Sequence, residues 1–405
     1  NITVPESVEE IRYSAFANCE NLESVTIPKS VKFIGADAFY KCEKLTNIDI
    51  DEDNENYSSE NGVLFDKGKT VLIQCVALNT DTSYTVPSSV EHINHNAFPL
   101  YVTTESITIP KSVKEISIDA FSCNDLKSIN VDSDNENYSS EDGVLFNKNK
   151  TALLLYPAKK EGTSYSISSS VERIGVGAFA ESGVVNVTMT DNIKRIEKYA
   201  FNMCGMLESV VLSENIDKID EYTFSECSLL KSVDIPNKVK SIEKYAFEGC
   251  TNLNNVTIGK NVNTIENGAF VDCTSLTDVY YAGTENEWSK IAMGRNASLT
   301  NATIHYNGIT SDMTMITVEV TKTESDTSYD FNISAQTKYG DCYVYAAMYD
   351  ENGVMIGINR VPLSMKDDTK ISLDKNDNAK SVNIFVLSSQ LQPISEKKSV
   401  KLVEE

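Results

Sequence analysis

The sequence predicts a solenoid of stacked repeats followed by a small all-β domain. Three observations lead to this prediction. An Ala-Phe pair, replaced once by Thr-Phe, returns at a nearly constant interval, short apolar-polar alternations return at the same interval, and the period is lost after about residue 310. Each repeat of a solenoid packs only against its neighbours, so a chain of 405 residues can adopt this fold without a large globular core.

The repeated phenylalanines set the length of each coil. Their intervals are 23, 59, 23, 58, 22, 23, 23 and 23 residues, and each long interval equals one ordinary repeat plus one of 36 residues. A period in this range is typical of leucine-rich repeats, in which a parallel sheet lines the concave face and short helical, 3-10 and loop segments lie outside. The phenylalanines are Phe16, Phe39, Phe98, Phe121, Phe179, Phe201, Phe224, Phe247 and Phe270.

Residues 22–44 illustrate the elements of one repeat. Val25 and Ile27 are separated by one polar residue, which predicts a short, half-buried strand. Pro28 ends this strand because proline has no N–H to donate. Phe39 is expected in a short helical or 3-10 segment, with its ring filling the space between the strand layer and the outer layer.

The outward-facing strand position recurs thirteen times and predicts one parallel sheet. Small polar residues flank it, so the expected concave face is shallow and rich in hydroxyl groups. One interpretation is that the crowded strands simply require short side chains. The alternative is that the face binds a ligand at the end that carries charged and aromatic side chains, formed by Asp234, Thr257, Asp278 and Tyr280. The thirteen positions are Thr3, Thr26, Asp49, Thr85, Thr108, Asn130, Ser166, Thr188, Val211, Asp234, Thr257, Tyr280 and Thr303.

Two long repeats carry the same insertion. The segments are NENYSSENGVLFDKGKTVLI from Asn54 and NENYSSEDGVLFNKNKTALL from Asn135. Each contains two apolar runs around a polar turn, which predicts a β-hairpin. We expect both hairpins to protrude from the stack, with their aliphatic and aromatic side chains packed against it.

The repeat unit V-x-x-I-x-x-x-A-F-x-x-C-x-x-L-x-x-V-x-I-P resembles the treponemal-type leucine-rich repeats of BspA-like surface proteins, and NYSSxxGVLF resembles the long repeat of that family. The resemblance covers about residues 1–308, and the chain departs from the pattern at residues 99–104 and at Ser182. It implies a secreted or cell-surface bacterial protein, often discussed as an adhesin, with no shared catalytic residues.

The expected domains are a solenoid at residues 1–308 and a second domain at residues 311–405. Terminal repeats must seal the open core, so we expect a cap at about residues 280–308 with Trp288 and Ile291 as its plug. Seven alternating segments after residue 311 predict a β-sandwich, immunoglobulin-like in class but without the Cys…Trp…Cys pattern.

The cysteines recur at one repeat position, generally three residues after the phenylalanine. This regularity predicts buried packing and weak hydrogen bonding, and disulfides between adjacent repeats are the alternative. The count of nine leaves at least one free thiol in a secreted protein, with Cys75 or Cys342 as candidates.

Motifs for catalysis or metal binding are missing from the sequence. It contains no C-x-x-C, G-x-S-x-G or P-loop, and the spacing of His92 and His95 does not place two ligands and a base on one helical face. Acidic runs at residues 49–55 and 132–136 suggest calcium, but both lack the glycine and glutamate of an EF-hand, so a solvated connection is favoured. We therefore predict no enzyme activity, no metal and no cofactor.

The charge of the chain narrows the classes of partner. Thirty-six basic and 59 acidic residues give a net charge of −23, which disfavours nucleic acid and anionic lipid. No stretch approaches the roughly 18–20 apolar residues of a membrane span. The chain opens with Asn1 inside a repeat, without methionine or signal peptide, so we expect a processed form of a longer precursor.

We therefore expect a non-catalytic, extracellular or cell-surface binding module, such as a bacterial adhesin. Its expected partner is a host matrix protein or a glycan, and the sequence leaves its oligomeric state open. The alternative is a structural spacer or targeting appendage of a larger surface protein, with no ligand of its own.

Overall fold

A computed structural model describes residues 1–76, 82–100, 102–306, 319–324, 328–334, 342–351, 354–362, 369–376, 378–388 and 398–401. The chain divides into two units, Asn1–Gly308 and Ile309–Glu405. The first unit is a parallel β-solenoid with almost no helix. Strands are numbered β1 to β36 and helices α1 and α2 in chain order.

Thirteen short strands form what we call the first ladder, which corresponds to the expected concave sheet. Its strands pair in parallel and in register, so that Val25 lies opposite Ile48 and Thr26 opposite Asp49. They are β1 Ile2–Thr3, β3 Ser24–Ile27, β5 Asn47–Ile50, β9 Ser83–Thr85, β11 Ser106–Ile109, β13 Ser128–Val131, β17 Ser164–Ser166, β19 Asn186–Thr188, β21 Ser209–Val211, β23 Ser232–Ile235, β25 Asn255–Ile258, β27 Asp278–Tyr281 and β29 Thr303–Tyr306.

The prediction of one continuous sheet is wrong. The first ladder consists of four sheets, β1-β3-β5, β9-β11-β13, β17-β19-β21 and β23-β25-β27-β29. The first two breaks lie at the two insertions, whose strands occupy the space of the missing neighbour. At the third break, β21 and β23 are adjacent but do not form a regular hydrogen-bonded ladder in the described residues.

A second ladder of parallel strands forms the next side of each coil. Its inward-facing isoleucines and leucines complete the core, and one example is the register of Ile242 with Ile265. Its strands are β2 Glu10–Ile11, β4 Phe33–Ile34, β8 Val71–Cys75, β10 His92–Ile93, β12 Glu115–Ile116, β16 Ala152–Leu155, β18 Arg173–Ile174, β20 Arg195–Ile196, β22 Lys218–Ile219, β24 Ser241–Ile242, β26 Thr264–Ile265 and β28 Ala292–Met293.

The Ala-Phe segment is a turn, so the expected helical or 3-10 segment on the outer side is wrong. The residues two positions before and two positions after the phenylalanine have positive φ angles of 53–71° in most coils, and such angles interrupt a right-handed helix. These residues are Ser14, Asn18, Asp37, Lys41, Asn96, Asp119, Gly177, Glu181, Tyr199, Met203, Tyr222, Glu226, Tyr245, Gly249, Gly268 and Asp272.

The repeated phenylalanines form a stacked spine in the core. Their rings stack from coil to coil with centroids 4.7–5.5 Å apart. Tyr156 takes the place of phenylalanine after the second insertion, and its ring stacks 4.9 Å from that of Phe179. Seven of the nine phenylalanines are completely buried, which places the rings between the layers as the sequence predicts.

The cysteines beside this spine are free thiols, as their repeat position predicts. In five coils the Sγ atom donates a hydrogen bond of 2.9–3.2 Å to the carbonyl of the phenylalanine in the preceding coil. Burial raises the pKa of Cys227 and Cys250 well above the ordinary value. The eight cysteines whose side chains the structure describes form no disulfide, and the side chain of Cys342 lies outside that set.

Each insertion is a three-stranded antiparallel sheet built into the stack. Strands β6 Tyr57–Glu60 and β7 Val63–Asp66 precede β8, and β14 Tyr138–Glu141 and β15 Val144–Asn147 precede β16. The expected hairpin between the apolar runs is present in both insertions. Its expected protrusion is wrong, because β8 pairs in parallel with β10, and β16 pairs in parallel with β18.

The apolar run of each insertion explains why it lies inside the stack. Val63 and Phe65 pack in one core cluster, whereas Leu64 between them packs in the preceding cluster. In the second insertion, Val144 and Phe146 likewise pack in one cluster, whereas Leu145 packs in the preceding one. A strand that is buried on both faces needs a continuous apolar sequence. Strands β7 and β15 have such sequences, and each lies between two neighbouring clusters of the solenoid core.

One buried asparagine fixes each insertion to the coil before it. The Asn135 side-chain amide donates to the carbonyls of Pro110 and Val113 at 2.9 Å, and its Oδ1 accepts from the N–H groups of Asn137 and Tyr138 at 2.9 and 2.8 Å. Asn54 makes the same four bonds in the first insertion. Both side chains are completely buried, and their hydrogen-bonding capacity is fully used.

The last coil contains the two helices of the described residues, α1 Glu285–Trp288 and α2 Ala297–Asn301. Ile291 and Leu299 are buried against the final coils, and the half-buried Trp288 ring lies 5.1 Å from that of Tyr281. The Asn296 side chain accepts from the N–H of Phe270 at 3.0 Å, in place of the carbonyl that a further coil would supply.

The secondary-structure elements in the described part of the second unit are all β-strands. They form two antiparallel sheets, β30-β31-β34 and β33-β32-β35-β36, which share a core containing Phe331, Val344, Ile371 and Val382. An immunoglobulin-like sandwich at residues 311–405 stays a prediction. The strands are β30 Glu319–Glu324, β31 Ser328–Ser334, β32 Cys342–Tyr349, β33 Met355–Pro362, β34 Thr369–Asp374, β35 Ser381–Ser388 and β36 Lys398–Lys401.

Candidate functional site

The C-terminal end of the first ladder brings the four candidate ligand-binding residues together. Asp234, Thr257 and Tyr280 lie opposite one another on β23, β25 and β27, and Asp278 lies two residues before Tyr280 on the same face. His305 on β29 continues the row beyond Tyr280. With neighbouring strands about 4.8 Å apart, the row from Asp234 to His305 is about 14 Å long.

The last position of this row differs from the sequence prediction. A constant step of 23 residues predicts Thr303, but the structure pairs Tyr280 with His305 and Asp278 with Thr303. The last coil is longer because it contains α1 and α2. Ile304 is the inward-facing equivalent of Val279. An alignment on these two residues, instead of a fixed step, would have placed His305 opposite Tyr280.

His305 joins Asp278 and Tyr280 into one cluster. Its Nε2 lies 2.7 Å from Oδ1 of Asp278, and its ring stacks on that of Tyr280 with centroids 4.7 Å apart. The hydrogen bond from His305, followed by one from Thr277, holds the pKa of the Asp278 carboxyl below its ordinary value. The cluster therefore places an aromatic ring, an imidazole and a carboxylate side by side.

The surroundings of Asp234 are acidic. Partial burial, followed by the nearby carboxylates of Asp191 and Asp234, raises the pKa of the Glu214 carboxyl. The Asp191 carboxylate also accepts a hydrogen bond from the N–H of Glu214 at 3.1 Å. This end of the ladder therefore favours basic and hydroxyl-bearing groups on a partner.

Other parts of the first ladder are polar but bonded internally. Ser128 and Asn130 each donate to the Ser106 hydroxyl at 3.1 Å, and Ser209 donates to Asn186 at 2.7 Å. These cross-strand bonds fit the interpretation in which small side chains satisfy one another where strands crowd. The aromatic and imidazole rings of the C-terminal end distinguish it from these rows.

The acidic runs before the insertions form turns. Oδ1 of Asp51 accepts from the N–H of Asp53, and Oδ1 of Asp132 accepts from the N–H of Asp134, both at 2.9 Å. Such bonds are typical of Asx turns, which supports the solvated connection over the calcium hypothesis. The described residues contain no cluster of three or more His, Cys, Asp or Glu side chains able to hold a metal ion.

A family model for the BspA-type leucine-rich repeat region matches six copies over residues 1–64, 74–150 and 158–310. The chain belongs to this family. Leucine-rich-repeat solenoids of this kind are typically non-catalytic scaffolds for protein interaction, and the family suggests a binding or surface role. Curated protein sequences yield no significant match.

Solved structures include similar bacterial repeat proteins. A leucine-rich cell-surface protein from Faecalibacterium prausnitzii is 27% identical, with a TM-score of 0.53 over 72% of this chain and 89% of that one. A leucine-rich repeat protein from Eubacterium ventriosum is 22% identical, with a TM-score of 0.48 over 75% and 82% of the two chains. The pneumococcal vaccine antigen PcpA is 22% identical, with a TM-score of 0.49 over 76% and 77%.

The family and the Faecalibacterium structure point to the cell surface as the location of this BspA-type protein. In the part of the chain that the structure describes, no helix is long and apolar enough to cross a membrane.

Proposed function

We propose that this BspA-type protein is a non-catalytic, extracellular adhesin or ligand-recognition protein of a bacterial surface. Its recognition surface is the C-terminal end of the first ladder, formed by Asp234, Thr257, Asp278, Tyr280 and His305. The observation that carries the proposal is the stacked Tyr280–His305 pair beside the Asp278 carboxylate, in a ladder whose other rows contain small polar side chains.

The chemistry of this surface favours two classes of partner. Aromatic rings stack on sugar faces and on guanidinium groups, and the carboxylates attract basic side chains. We therefore propose a host matrix protein with basic side chains, or a glycan, as the ligand. The immunoglobulin-like second domain would then space or anchor the solenoid at the cell surface.

A structural spacer is the second candidate. It is supported by cross-strand hydrogen bonds between ladder side chains, among Ser106, Ser128 and Asn130 in one pair of coils and between Ser209 and Asn186 in another. In this case the repeats would hold another domain away from the cell, and no ladder residue would contact a ligand.

A binding screen on arrays of extracellular-matrix proteins and glycans separates the two candidates. The protein is compared with a Tyr280→Ala/Asp234→Ala variant and with a matched Thr26→Ala/Asp49→Ala variant, whose residues lie opposite each other at the other end of the ladder. A hit lost only in the first variant supports the proposed surface. A hit retained in both variants contradicts it, and the absence of any hit in varied salt and calcium favours the spacer.

A further inference from the structure

A cleft of about 530 Å³ lies between the coil of Phe121 and the second insertion. Its apolar lining residues include Leu126, Leu145, Leu154 and Leu155. We call this site the insertion cleft. Its volume lies in the range of small-ligand pockets, roughly 300–1,000 Å³.

The corresponding gap at the first insertion is bridged by polar side chains. The amide of Asn96 donates to the Asp37 carboxylate at 3.2 Å, and the ring of His95 lies 3.8 Å from the same carboxylate. At the second insertion the same repeat positions hold Gly177 and Val176, and neither side chain can make such a bond. The insertion cleft is therefore a specific difference between two otherwise matching insertions.

The backbone along one wall of the cleft has unused donors. In ordinary coils two backbone N–H groups, that of the phenylalanine and that of the residue two before it, donate hydrogen bonds to carbonyls of the following coil. Phe98 donates to Ala120 at 2.8 Å, and Asn96 donates to Asp119 at 3.1 Å. After the coil of Asp119 and Phe121, the second insertion occupies the position of the following Ala-Phe turn. Among the described residues, neither of these two N–H groups has an acceptor.

The C-terminal end of the solenoid shows how such an edge is otherwise covered. There the Asn296 side chain accepts from the N–H of Phe270, and the carbonyl of Arg295 accepts from the N–H of Gly268. An unpaired backbone edge is a template for pairing with another extended chain. N–H groups two residues apart match the spacing at which carbonyls of an extended peptide point to one side.

The rim of the insertion cleft is acidic. Asp119, Glu181 and Glu197 lie around it with one basic residue, Arg173, which pairs with Glu197 at 2.9 Å. Three carboxylates against one guanidinium favour a ligand that carries positive charge.

We propose that the insertion cleft binds an extended peptide segment of a partner protein, with a large apolar side chain next to a lysine or arginine. The peptide carbonyls accept from the N–H groups of Asp119 and Phe121. The apolar side chain packs on Leu154 and Leu155, and the basic side chain reaches the carboxylates of the rim. This site is separate from the C-terminal end of the first ladder.

The test uses the whole chain and a defined set of labelled synthetic hexapeptides, each with one Phe or Leu next to a Lys, measured by fluorescence anisotropy. A matched set has Glu in place of Lys. The closing variant is Val176→His/Gly177→Asn, which copies the first insertion, where Asn96 has a positive φ of 54° like the 61° of Gly177. The control variant, His95→Val/Asn96→Gly, changes the same positions at the first insertion.

We expect peptides of the Lys set to bind, and their affinity to fall at least tenfold in the closing variant but not in the control variant. Ile118→Arg is a second test, because this lining side chain is 61% exposed and its replacement places a cation at the acidic rim without disturbing the core. Binding should fall at least fivefold. Three results would each overturn the proposal. They are equal affinity for the Lys and Glu sets, equal affinity of the closing variant and the unchanged protein for the Lys set, and no binding at 1 mM peptide.

The Tyr280→Ala/Asp234→Ala variant keeps this test independent of the proposed function. Its affinity for the hexapeptides should equal that of the unchanged protein, because the substituted side chains are not among the residues that line the cleft. A loss of peptide binding in this variant would assign the peptides to the first ladder and contradict the insertion cleft.

Discussion

Replacement of Asn135 by alanine should destabilise the solenoid more than any surface change in the same loop. The side chain is completely buried and makes four hydrogen bonds, two as donor and two as acceptor. A hydrogen bond contributes about 0.5–1.5 kcal/mol net. Because three of the four bonded pairs are only partly buried, water can replace some of the lost contacts, and we expect a loss of about 2–4 kcal/mol.

The assay is urea-induced unfolding followed by far-UV circular dichroism. Asn137→Ala is the matched control, since Asn137 is exposed two residues away and its replacement should change the free energy of unfolding by less than about 0.5 kcal/mol. Asn135→Asp should be as destabilising as Asn135→Ala at neutral pH, because a carboxylate would face the carbonyls of Pro110 and Val113. Equal stability of the Asn135→Ala and Asn137→Ala proteins would show that the buried hydrogen bonds of Asn135 do not stabilise the solenoid.

Three further predictions follow from the core and the site. Phe224→Ala should lower the free energy of unfolding by about 3–5 kcal/mol, measured by the same urea titration, because it removes one ring from the stacked spine; a loss below about 1 kcal/mol would contradict this. In the native protein a thiol reagent should modify the half-buried Cys19 and leave Cys250 unmodified until unfolding; early labelling of Cys250 would contradict its burial. His305→Ala should raise the pKa of Asp278 towards the ordinary 3.8, as measured by NMR titration.

The last prediction has a defined pH sign. The Asp278 pKa is lowered in the folded protein, so this carboxylate stabilises the fold above its ordinary pKa of 3.8 and the contribution is lost as the pH falls through the lower folded value. The His305→Ala protein should therefore lose less stability than the unchanged protein between about pH 4 and pH 2. An identical acid dependence of both proteins would contradict the role of the hydrogen bond.

Periodicity predicted the coils, their inward-facing residues and the burial of the phenylalanine rings between the layers, because each repeat must bury the same face. It failed where backbone conformation decides the structure. The residues around Phe39 have no glycine signal, yet Asp37 and Lys41 adopt positive φ and exclude the expected helical segment. The continuous apolar run at residues 63–65 is buried on both faces, and the hairpin pattern from which we predicted protrusion did not show this.

The candidate site was predictable in part. Asp234, Thr257 and Tyr280 share one register, so their proximity follows from the repeat length alone. His305 was missed because the helices of the last coil change that length. The insertion cleft exists because Gly177 stands where the first insertion has Asn96. The sequence alone does not show that Asn96 bridges the gap beside the first insertion, so the cleft could not be predicted from it.

The most direct test of the proposed recognition surface is a hydrogen-exchange footprint of the protein with and without a matrix protein or glycan that it binds on the array. We expect slower exchange in β25, β27 and β29, around Thr257, Tyr280 and His305, with unchanged exchange at the N-terminal end of the first ladder. Protection confined to the insertions or to the second unit would contradict this expectation.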